Sequence, residues 1–288
     1  MKRLAALASI ALAGLTAAGL SAQGRPAVSD IEQVSERVWK IYGAGGNTTV
    51  FERAGGVALV DTKLASNGAA ILAQVRKVTD KPVTLIVNTH SHGDHVGSNA
   101  EVARGDVEVV AHANTSRRMA AMENVGAATR TFEDRLTVGE AADRIDLYWF
   151  GAGHTDGDAF VVIPAERVMA SGDIFQMLAM PRIDTASGGS ALALPETLAK
   201  ARDTITGVDK IIDGHGTTIH DWAAFGRYAA FTRALADAAR ESDTPEQALA
   251  ALEARPETRA FVDDAVLAGA RARALNGLTA AFEELRGS

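Results

Sequence analysis

The chain has 288 residues, a formal net charge of −7, 47% hydrophobic residues and no cysteine. This composition excludes a disordered chain or a multi-span membrane protein, and the length suits one large domain or two small ones. The acidic balance without a basic cluster argues against a nucleic acid partner, and the lack of cysteine excludes disulfides, thiolate metal ligands and cysteine nucleophiles.

Residues 1–22 have the pattern of a secretory signal peptide. Lys2 and Arg3 precede an uncharged run from Leu4 to Leu20, and the small pair Ser21–Ala22 then precedes a polar segment. We therefore predict cleavage and a periplasmic or secreted location, with the cleavage position left open. An uncleaved membrane anchor is the alternative, but the run is slightly short for a bilayer and rich in Ala and Gly. No stable membrane anchor is expected after cleavage.

Short β-prone runs and helical patterns alternate along the rest of the chain. The predicted strands are Val38–Tyr42, Thr48–Arg53, Val57–Asp61, Val83–Val87, Val107–Ala111, Ile145–Phe150, Ala159–Ile163, Val168–Ala170 and Lys210–Ile212. An apolar face predicts a helix over Ser66–Val78. From Trp222 the pattern is helical: apolar residues between Trp222 and Leu235 form a core-facing stripe, and Thr244–Gln247 reads as a capping box. This order favours a layered α/β domain with its chemistry on loops at strand ends.

The histidines indicate where that chemistry lies. Three of the seven lie in the run His90-Ser91-His92-Gly93-Asp94-His95, directly after a predicted buried strand. Residues two apart in an extended segment point to the same side, so His90 and His92 can close on one cation. The turn that the glycine permits redirects Asp94 and His95 toward a second position. Imidazole and carboxylate ligands suit zinc, with manganese or iron as alternatives.

Three more candidate ligands, His154, Asp173 and His215, follow in strand-end loops. The ordered set resembles the metallo-β-lactamase superfamily of binuclear hydrolases. The resemblance implies an αββα sandwich with C-terminal helices, and we place its catalytic domain at residues 28–220. Residues 221–288 would form a helical extension packed on that domain.

The same resemblance implies a role for each ligand. His90, His92 and His154 would hold a first ion. Asp94, His95 and His215 would hold a second, and Asp173 would bridge the two. We expect two Zn²⁺ ions, with other divalent metals possible, that activate a shared hydroxide for attack on an acyl bond. Asp94 would orient the water and move its proton.

Four further residues receive weaker interpretations. Asp61 matches an aspartate that supports the metal loop from behind in this superfamily, although simple turn formation is an equal alternative. His112 is predicted to be a capping or hydrogen-bonded surface histidine, and His220 is predicted to be structural. Arg182 lies in a long irregular stretch where the superfamily often builds its substrate rim.

The substrate is expected to be a small molecule, with β-lactam, lactone and thioester left open. Asp173 stands where the commonest zinc β-lactamases carry a cysteine, and no lysine between Lys81 and Lys200 could anchor a β-lactam carboxylate. Arg182 is the only obvious substitute. Acyl-homoserine lactonases usually carry a tyrosine soon after the bridging aspartate, and the next one here is Tyr228. Glyoxalase II shares the ligand set but needs a basic glutathione site that the sequence does not reveal.

Two functions outside hydrolysis are also considered. An iron-dependent persulfide dioxygenase keeps the His-x-His-x-Asp-His motif and is the main alternative. A non-catalytic binding module of the same fold usually loses ligands, whereas this chain keeps all seven.

Overall fold

The structure, a computed structural model, describes residues 27–176, 180–266 and 268–287; the predicted signal peptide lies outside these ranges. The first of two sheets contains β1 (Glu32–Gln33), β2 (Val38–Ile41), β3 (Thr48–Arg53), β4 (Gly56–Val60), β5 (Val83–Asn88), β6 (Glu108–His112) and β7 (Arg130–Phe132). The second contains β8 (Arg135–Val138), β9 (Ile145–Tyr148), β10 (Phe160–Ile163), β11 (Val168–Gly172), β12 (Lys210–Asp213) and β13 (Ile219–His220). The helices are α1 (Gly68–Val75), α2 (Gly93–Val96), α3 (Asn99–Val102), α4 (Ala113–Ala120), α5 (Leu194–Thr204), α6 (Trp222–Glu241), α7 (Pro245–Glu253), α8 (Pro256–Val262) and α9 (Ala270–Gly287).

Both sheets are mixed, and their parallel pairs position the site. Strands β1 to β4 pair antiparallel, whereas β4, β5, β6 and β7 pair in parallel. In the second sheet β11 and β12 are the parallel pair. Parallel neighbours end at the same edge of a sheet, so the loops that follow β5, β11 and β12 can meet above the sandwich.

Three apolar layers hold the two sheets and the helices together. Phe51 and Leu85 face Val161 in the layer between the sheets. A second layer packs the first sheet on helices α1 to α4, and a third packs the second sheet on helices α5 to α9. The predicted αββα sandwich with C-terminal helices is therefore confirmed. Among the described residues, no helix combines the length and apolar character needed to cross a membrane.

Most predicted elements lie within two residues of the observed bounds, and the differences have local causes. The predicted helix Ser66–Val78 is shorter in the structure, where α1 spans Gly68–Val75. Its start is set by Glu101 of α3, whose carboxylate accepts the Gly68 N–H. The stripe from Trp222 to Leu235 packs in the core, as predicted. The Thr244 hydroxyl caps α7 as expected, but the Gln247 side chain accepts the N–H of Asp243 instead of that of Thr244. Strands β1, β7, β8 and β13 are short and were not predicted.

Candidate metal centre

The seven predicted ligands converge at one edge of the sandwich. His90 and His92 follow β5 of the first sheet, and Asp94 and His95 lie in α2. The second sheet supplies the other three from loops at strand ends: His154 before β10, Asp173 after β11 and His215 after β12. The site is thus assembled from both sheets.

One group of ligand atoms comes from His90, His92, His154 and Asp173. One atom from each lies within 4.8 Å of the others, and Nδ1 of His92 is 3.0 Å from Nε2 of His154. Nε2 of His90 is buried without a hydrogen-bond partner among the described residues. An unpaired buried polar atom is costly, and a cation would satisfy it. The residues therefore fit a metal ion.

A second group of ligand atoms lies beside the first. Asp94, His95 and His215 also offer atoms within 4.8 Å of one another, and Nε2 of His95 is 3.3 Å from Nε2 of His215. Asp173 faces both groups, because its Oδ1 is 3.2 Å from Nε2 of His95 and its Oδ2 is 3.8 Å from Nε2 of His154. This is the position that a bridging carboxylate requires.

Two glycines allow loops to approach these ligands closely. A Cβ atom on Gly46 would lie 2.3 Å from the His95 ring, and one on Gly214 would lie 1.8 Å from Oδ1 of Asp173. Any other residue at either position would displace a ligand. The sequence requirement for glycine here is therefore steric.

The loop that carries Gly46 is tied down from two sides. Lys63 is fully buried, and its Nζ donates to the carbonyls of Ile41 and Gly46, each at 2.8 Å. Burial lowers the pKa of this lysine to about 7. Asn47 donates from Nδ2 to the Asp213 and Gly216 carbonyls, which joins this loop to the one that carries His215.

A carboxylate behind His95 and another behind His92 fix the orientation of each ring. Asp61 lies 2.7 Å from Nδ1 of His95, and it also accepts the N–H and hydroxyl of Thr89. Asp184 lies 2.7 Å from Nε2 of His92. Because a carboxylate can only accept, each ring keeps its proton on that side and presents its other nitrogen to the site. Asp61 thus lies behind the loop that carries the candidate ligand His95, and Asp184 is a contact of the candidate ligand His92 that the sequence did not reveal.

The two other histidines of the first group have neutral partners. Nδ1 of His154 donates to the carbonyl of Arg182 at 2.5 Å, which leaves Nε2 free to ligate. Nδ1 of His90 is 3.0 Å from the Thr89 hydroxyl. Each ring that faces the first group is therefore held through its far nitrogen.

The histidine pKa values differ between the two ligand groups. Burial lowers the pKa of His90 well below its usual value and that of His154 to about 4. Burial opposes charge on His95 as well, but Asp173 and Asp61 outweigh it and raise the pKa of that ring well above its usual value. Burial favours the neutral form of Asp173, yet His95 and the other rings hold its pKa well below the ordinary range. Before a metal binds, charge therefore concentrates on His95 and Asp173.

A cleft of about 300 Å³ opens over the second group. Its lining includes Asp94, His215 and the loop of Tyr42 to Gly45. Arg182 lines the same cleft with an exposed side chain, and its own backbone carbonyl is the one that accepts the hydrogen bond from His154. This places the predicted substrate-binding arginine at the rim of the centre.

The remaining two histidines lie outside both groups. His112 accepts the Asn114 N–H at the start of α4, which confirms the predicted cap. Its predicted surface position is wrong, because its ring stacks on Trp149 at 4.9 Å and is 4% exposed. His220 lies 3.4 Å from Asp213 and packs edge-on against Phe175.

Comparisons with known proteins found a family model and several relatives that match this chain. The family model described as "Metallo-beta-lactamase superfamily" matches residues 41–215. The chain is 28% identical to "Metallo-beta-lactamase type 2" of Bacteroides fragilis, over 55% of this chain and 64% of that protein. It is 32% identical to "2,4-dinitroanisole O-demethylase subunit alpha" of Nocardioides sp., over 49% of this chain and 45% of that one. Both matches thus span less than two thirds of the relative.

A solved structure shows the same fold. The metallo-beta-lactamase from Pontibacter korlensis superposes with a TM-score of 0.63 at 20% identity, and the match covers 72% of this chain and 99% of that one. At this identity the likeness concerns the fold alone.

Proposed function

The chain belongs to the metallo-beta-lactamase superfamily, and from this premise we propose that it is an exported hydrolase that uses two Zn²⁺ ions to cleave an acyl bond of a small molecule. The family supports metal-dependent chemistry. The location, the metal and the bond are our inference from the leader pattern, the ligand types and the cleft.

The observation that carries this proposal is the shared position of Asp173 between two groups of ligand atoms. His90, His92 and His154 would hold one ion, and the second group would hold the other. The unpaired, buried Nε2 of His90 supports this assignment, since a purely structural histidine cluster would pair such an atom internally.

When bound, two divalent ions supply a water of lowered pKa and polarise the oxygen of the bond to be broken. The residues of the chain do the rest. Asp94 lines the cleft with its carboxylate partly exposed, 3.4 Å from Nε2 of His215. It can therefore orient the attacking water and take its proton. Asp61 and Asp184 keep the neighbouring rings in the tautomers that leave ligand nitrogens free.

The cleft favours an acyl substrate that carries an anionic group. Arg182 is exposed at the rim, and it forms no ion pair with any carboxylate in the described part of the chain. A carboxylate placed there could pair with this guanidinium while its acyl group reached the centre. A lactone gains a carboxylate only when hydrolysis opens its ring, whereas β-lactam antibiotics carry a carboxylate in the substrate. The glutathione moiety of a thioester does so as well.

The iron-dependent oxidoreductase remains the alternative, and no specific observation favours it. Iron content together with oxygen consumption would distinguish this oxidoreductase from the zinc hydrolase. Protein purified from its own compartment would contain iron and take up oxygen with a persulfide if the alternative were correct. Zinc without oxygen uptake would support the hydrolase.

The test begins with metal stoichiometry and continues with substrates. Zinc titration should reach two ions per chain, and a ceiling of one ion that Asp173→Ala and His215→Ala leave unchanged would overturn the binuclear assignment. The loaded protein should then be assayed on nitrocefin, an acyl-homoserine lactone, lactoylglutathione and a phosphodiester. Asp94→Asn should lower turnover of the best substrate by about 100-fold or more. A variant with both metals and the parental rate would show that Asp94 does not act on the water.

A further inference from the structure

A second cavity adjoins the metal cleft and is built by the C-terminal extension. It has a volume of about 520 Å³ between the segment Met180–Ile183 and helix α9, and its lining residues Arg182, Arg273 and Asn276 are exposed to solvent. This volume lies within the range of small-molecule sites. The helix begins at Ala270, far beyond the matched family region of 41–215. This wall of the cavity therefore lies outside the segment that the family model matches.

Arg182 connects the cavity to the metal centre. Its side chain lines both spaces, and its carbonyl accepts the hydrogen bond from Nδ1 of His154. A molecule in the cavity would thus lie against a residue that touches a predicted ligand. A substrate long enough to pass Arg182 could occupy both spaces at once.

The lining of the cavity defines the chemistry that it would accept. Met180, Pro181, Ile183 and Ala280 supply an apolar surface, and Gln176 and Asn276 add two amides. Helix α9 adds Arg273, which lies on the same face as Ala280, two turns away.

The two guanidiniums at this lining are exposed to solvent and have no carboxylate partner in the described ranges. Among the residues that the structure describes, neither Arg182 nor Arg273 forms an ion pair, although Arg271 on the same helix pairs with Glu253 at 2.8 Å. The only hydrogen bond of the Arg273 guanidinium in the described ranges goes to the carbonyl of Ala268. Two unpaired cations beside an apolar surface favour an anionic ligand with an apolar chain.

The helix wall is fixed in place. Glu284, near the end of α9, accepts hydrogen bonds from the Ser190 hydroxyl and the Ala191 N–H, each at 2.7 Å. Leu278 and Phe282 pack in the core beneath. The cavity therefore needs little rearrangement to bind a ligand, which reduces the entropic cost of binding.

We propose that this cavity binds the apolar chain of an anionic acyl substrate, whose charge Arg182 and Arg273 balance while its reactive bond lies at the metal centre. The inference rests on the proposed function and narrows its substrate class. Small anionic acyl compounds without an apolar chain would bind weakly.

The test uses decanoate, 1-decanol and butyrate as probes of the full-length, metal-free protein by titration calorimetry. Decanoate should bind with one site and at least about 10-fold more tightly than either other probe, because only decanoate offers both chain and charge. Arg273→Gln should weaken decanoate about 10-fold, a typical effect of losing one charge-assisted hydrogen bond. Ala280→Leu, which fills the cavity, should weaken it further with unchanged circular dichroism.

The matched control is Arg286→Gln, which removes the same charge from the same helix about 20 Å away along its axis. Its decanoate affinity should equal that of the wild type. Equal weakening by Arg273→Gln and Arg286→Gln, or decanoate binding no tighter than butyrate, would overturn the proposal.

A final measurement separates this inference from the proposed function. With the zinc-loaded enzyme and its best substrate, decanoate should inhibit competitively, and Arg273→Gln should raise KM with little change in kcat. Hydrolysis without decanoate binding would refute the cavity alone. Decanoate binding in the predicted pattern without any hydrolysis would refute the hydrolase and leave the binding site standing.

Discussion

Asp61 offers a sharp test of how the metal centre is organised. Its Oδ2 lies 2.7 Å from Nδ1 of His95 and accepts the Thr89 hydroxyl, while Oδ1 accepts the Thr89 N–H. In Asp61→Asn the amide oxygen can keep the Thr89 N–H, but the amide nitrogen then faces His95. The ring must move its proton to Nε2, the nitrogen that faces His215. A protonated nitrogen cannot ligate a metal, so the second ion should bind more weakly.

The expected loss follows from the burial of this contact. Removing the hydrogen-bond partner of a metal-binding histidine typically costs 10- to 100-fold in affinity. The side chains of Asp61 and His95 are 3% and 0% exposed, so solvent cannot replace the lost partner. We therefore expect about 100-fold, which corresponds to about 2.7 kcal/mol. The first ion should be affected less than the second, because among its three histidines only His90 is linked to Asp61, and only indirectly through the Thr89 hydroxyl.

Asp184→Asn provides the reciprocal experiment. Asp184 lies 2.7 Å from Nε2 of His92, but its side chain is 27% exposed. Water can partly replace it, so we expect about a 10-fold loss, and at the first ion only. The two variants should thus weaken different ions.

The assay is a zinc titration against a chromophoric chelator, with the imidazole resonances of His154 and His215 reporting which ion has bound. Asp143→Asn serves as the control, since Asp143 accepts the Ala54 N–H far from the site. Thermal melting of the metal-free variants checks the fold. If Asp61→Asn weakened both ions equally, or neither, the assignment of Asp61 to the His95 half of the site would be refuted.

Three further predictions concern pH, a histidine and a buried lysine. The pKa of His95 is raised, so protons compete with the second ion for this ring, whereas the pKa of His154 is lowered to about 4 and its ring stays neutral above that pH. Lowering the pH from 7 to 5 should therefore release the second ion before the first, and the same zinc titration repeated at stepped pH would show this order. His112→Gln should retain both metals and lower the free energy of unfolding by about 1 kcal/mol through loss of its cap, measured by urea denaturation with zinc analysis; lost zinc would place His112 in the site. Burial lowers the pKa of Lys63 from 10.5 to about 7. Between these two pH values the folded protein binds fewer protons than the unfolded chain, so the free energy of unfolding rises by up to about 1.4 kcal/mol per pH unit as the pH rises. The free energy of unfolding of the wild type should therefore rise relative to that of Lys63→Met between pH 7 and 10. If the two proteins showed the same dependence of unfolding free energy on pH, a neutral Lys63 would be refuted.

The ligand pattern was accessible from the sequence because it follows strands. His90 to His95 come directly after an apolar, β-branched run that is typical of a buried strand, and His154, Asp173 and His215 lie where other strands begin or end. Strand ends on one edge of a sandwich meet in space, so order along the chain indicates proximity. The structure brings all seven together.

The residues that orient the ligands could not be predicted in the same way. Asp184 lies in an irregular segment, 92 residues from the ring that it contacts, and no spacing rule links the two. Lys63 looks like a surface lysine in sequence, and only the fold shows its Nζ between two carbonyls. Arg273 is one of several arginines on helix α9, and its lack of an acidic partner depends on how that helix packs. Such contacts depend on tertiary packing, which local patterns do not encode.

The origin of the ligands in two sheets links metal binding to folding. Each ligand group draws on both sheets: His90 and His154 meet in the first, and Asp94 and His215 meet in the second. Asp173 and the Asn47 amide add further links between the loops of the two sheets. Separating the sheets would therefore destroy both groups at once. An ion that binds only the native state stabilises it by about 4 kcal/mol when its free concentration is 1,000 times Kd. The unpaired Nε2 of His90 and the buried charge on Asp173 destabilise the metal-free fold. Ions bound to these atoms would remove that destabilisation and would link the two sheets through shared ligands.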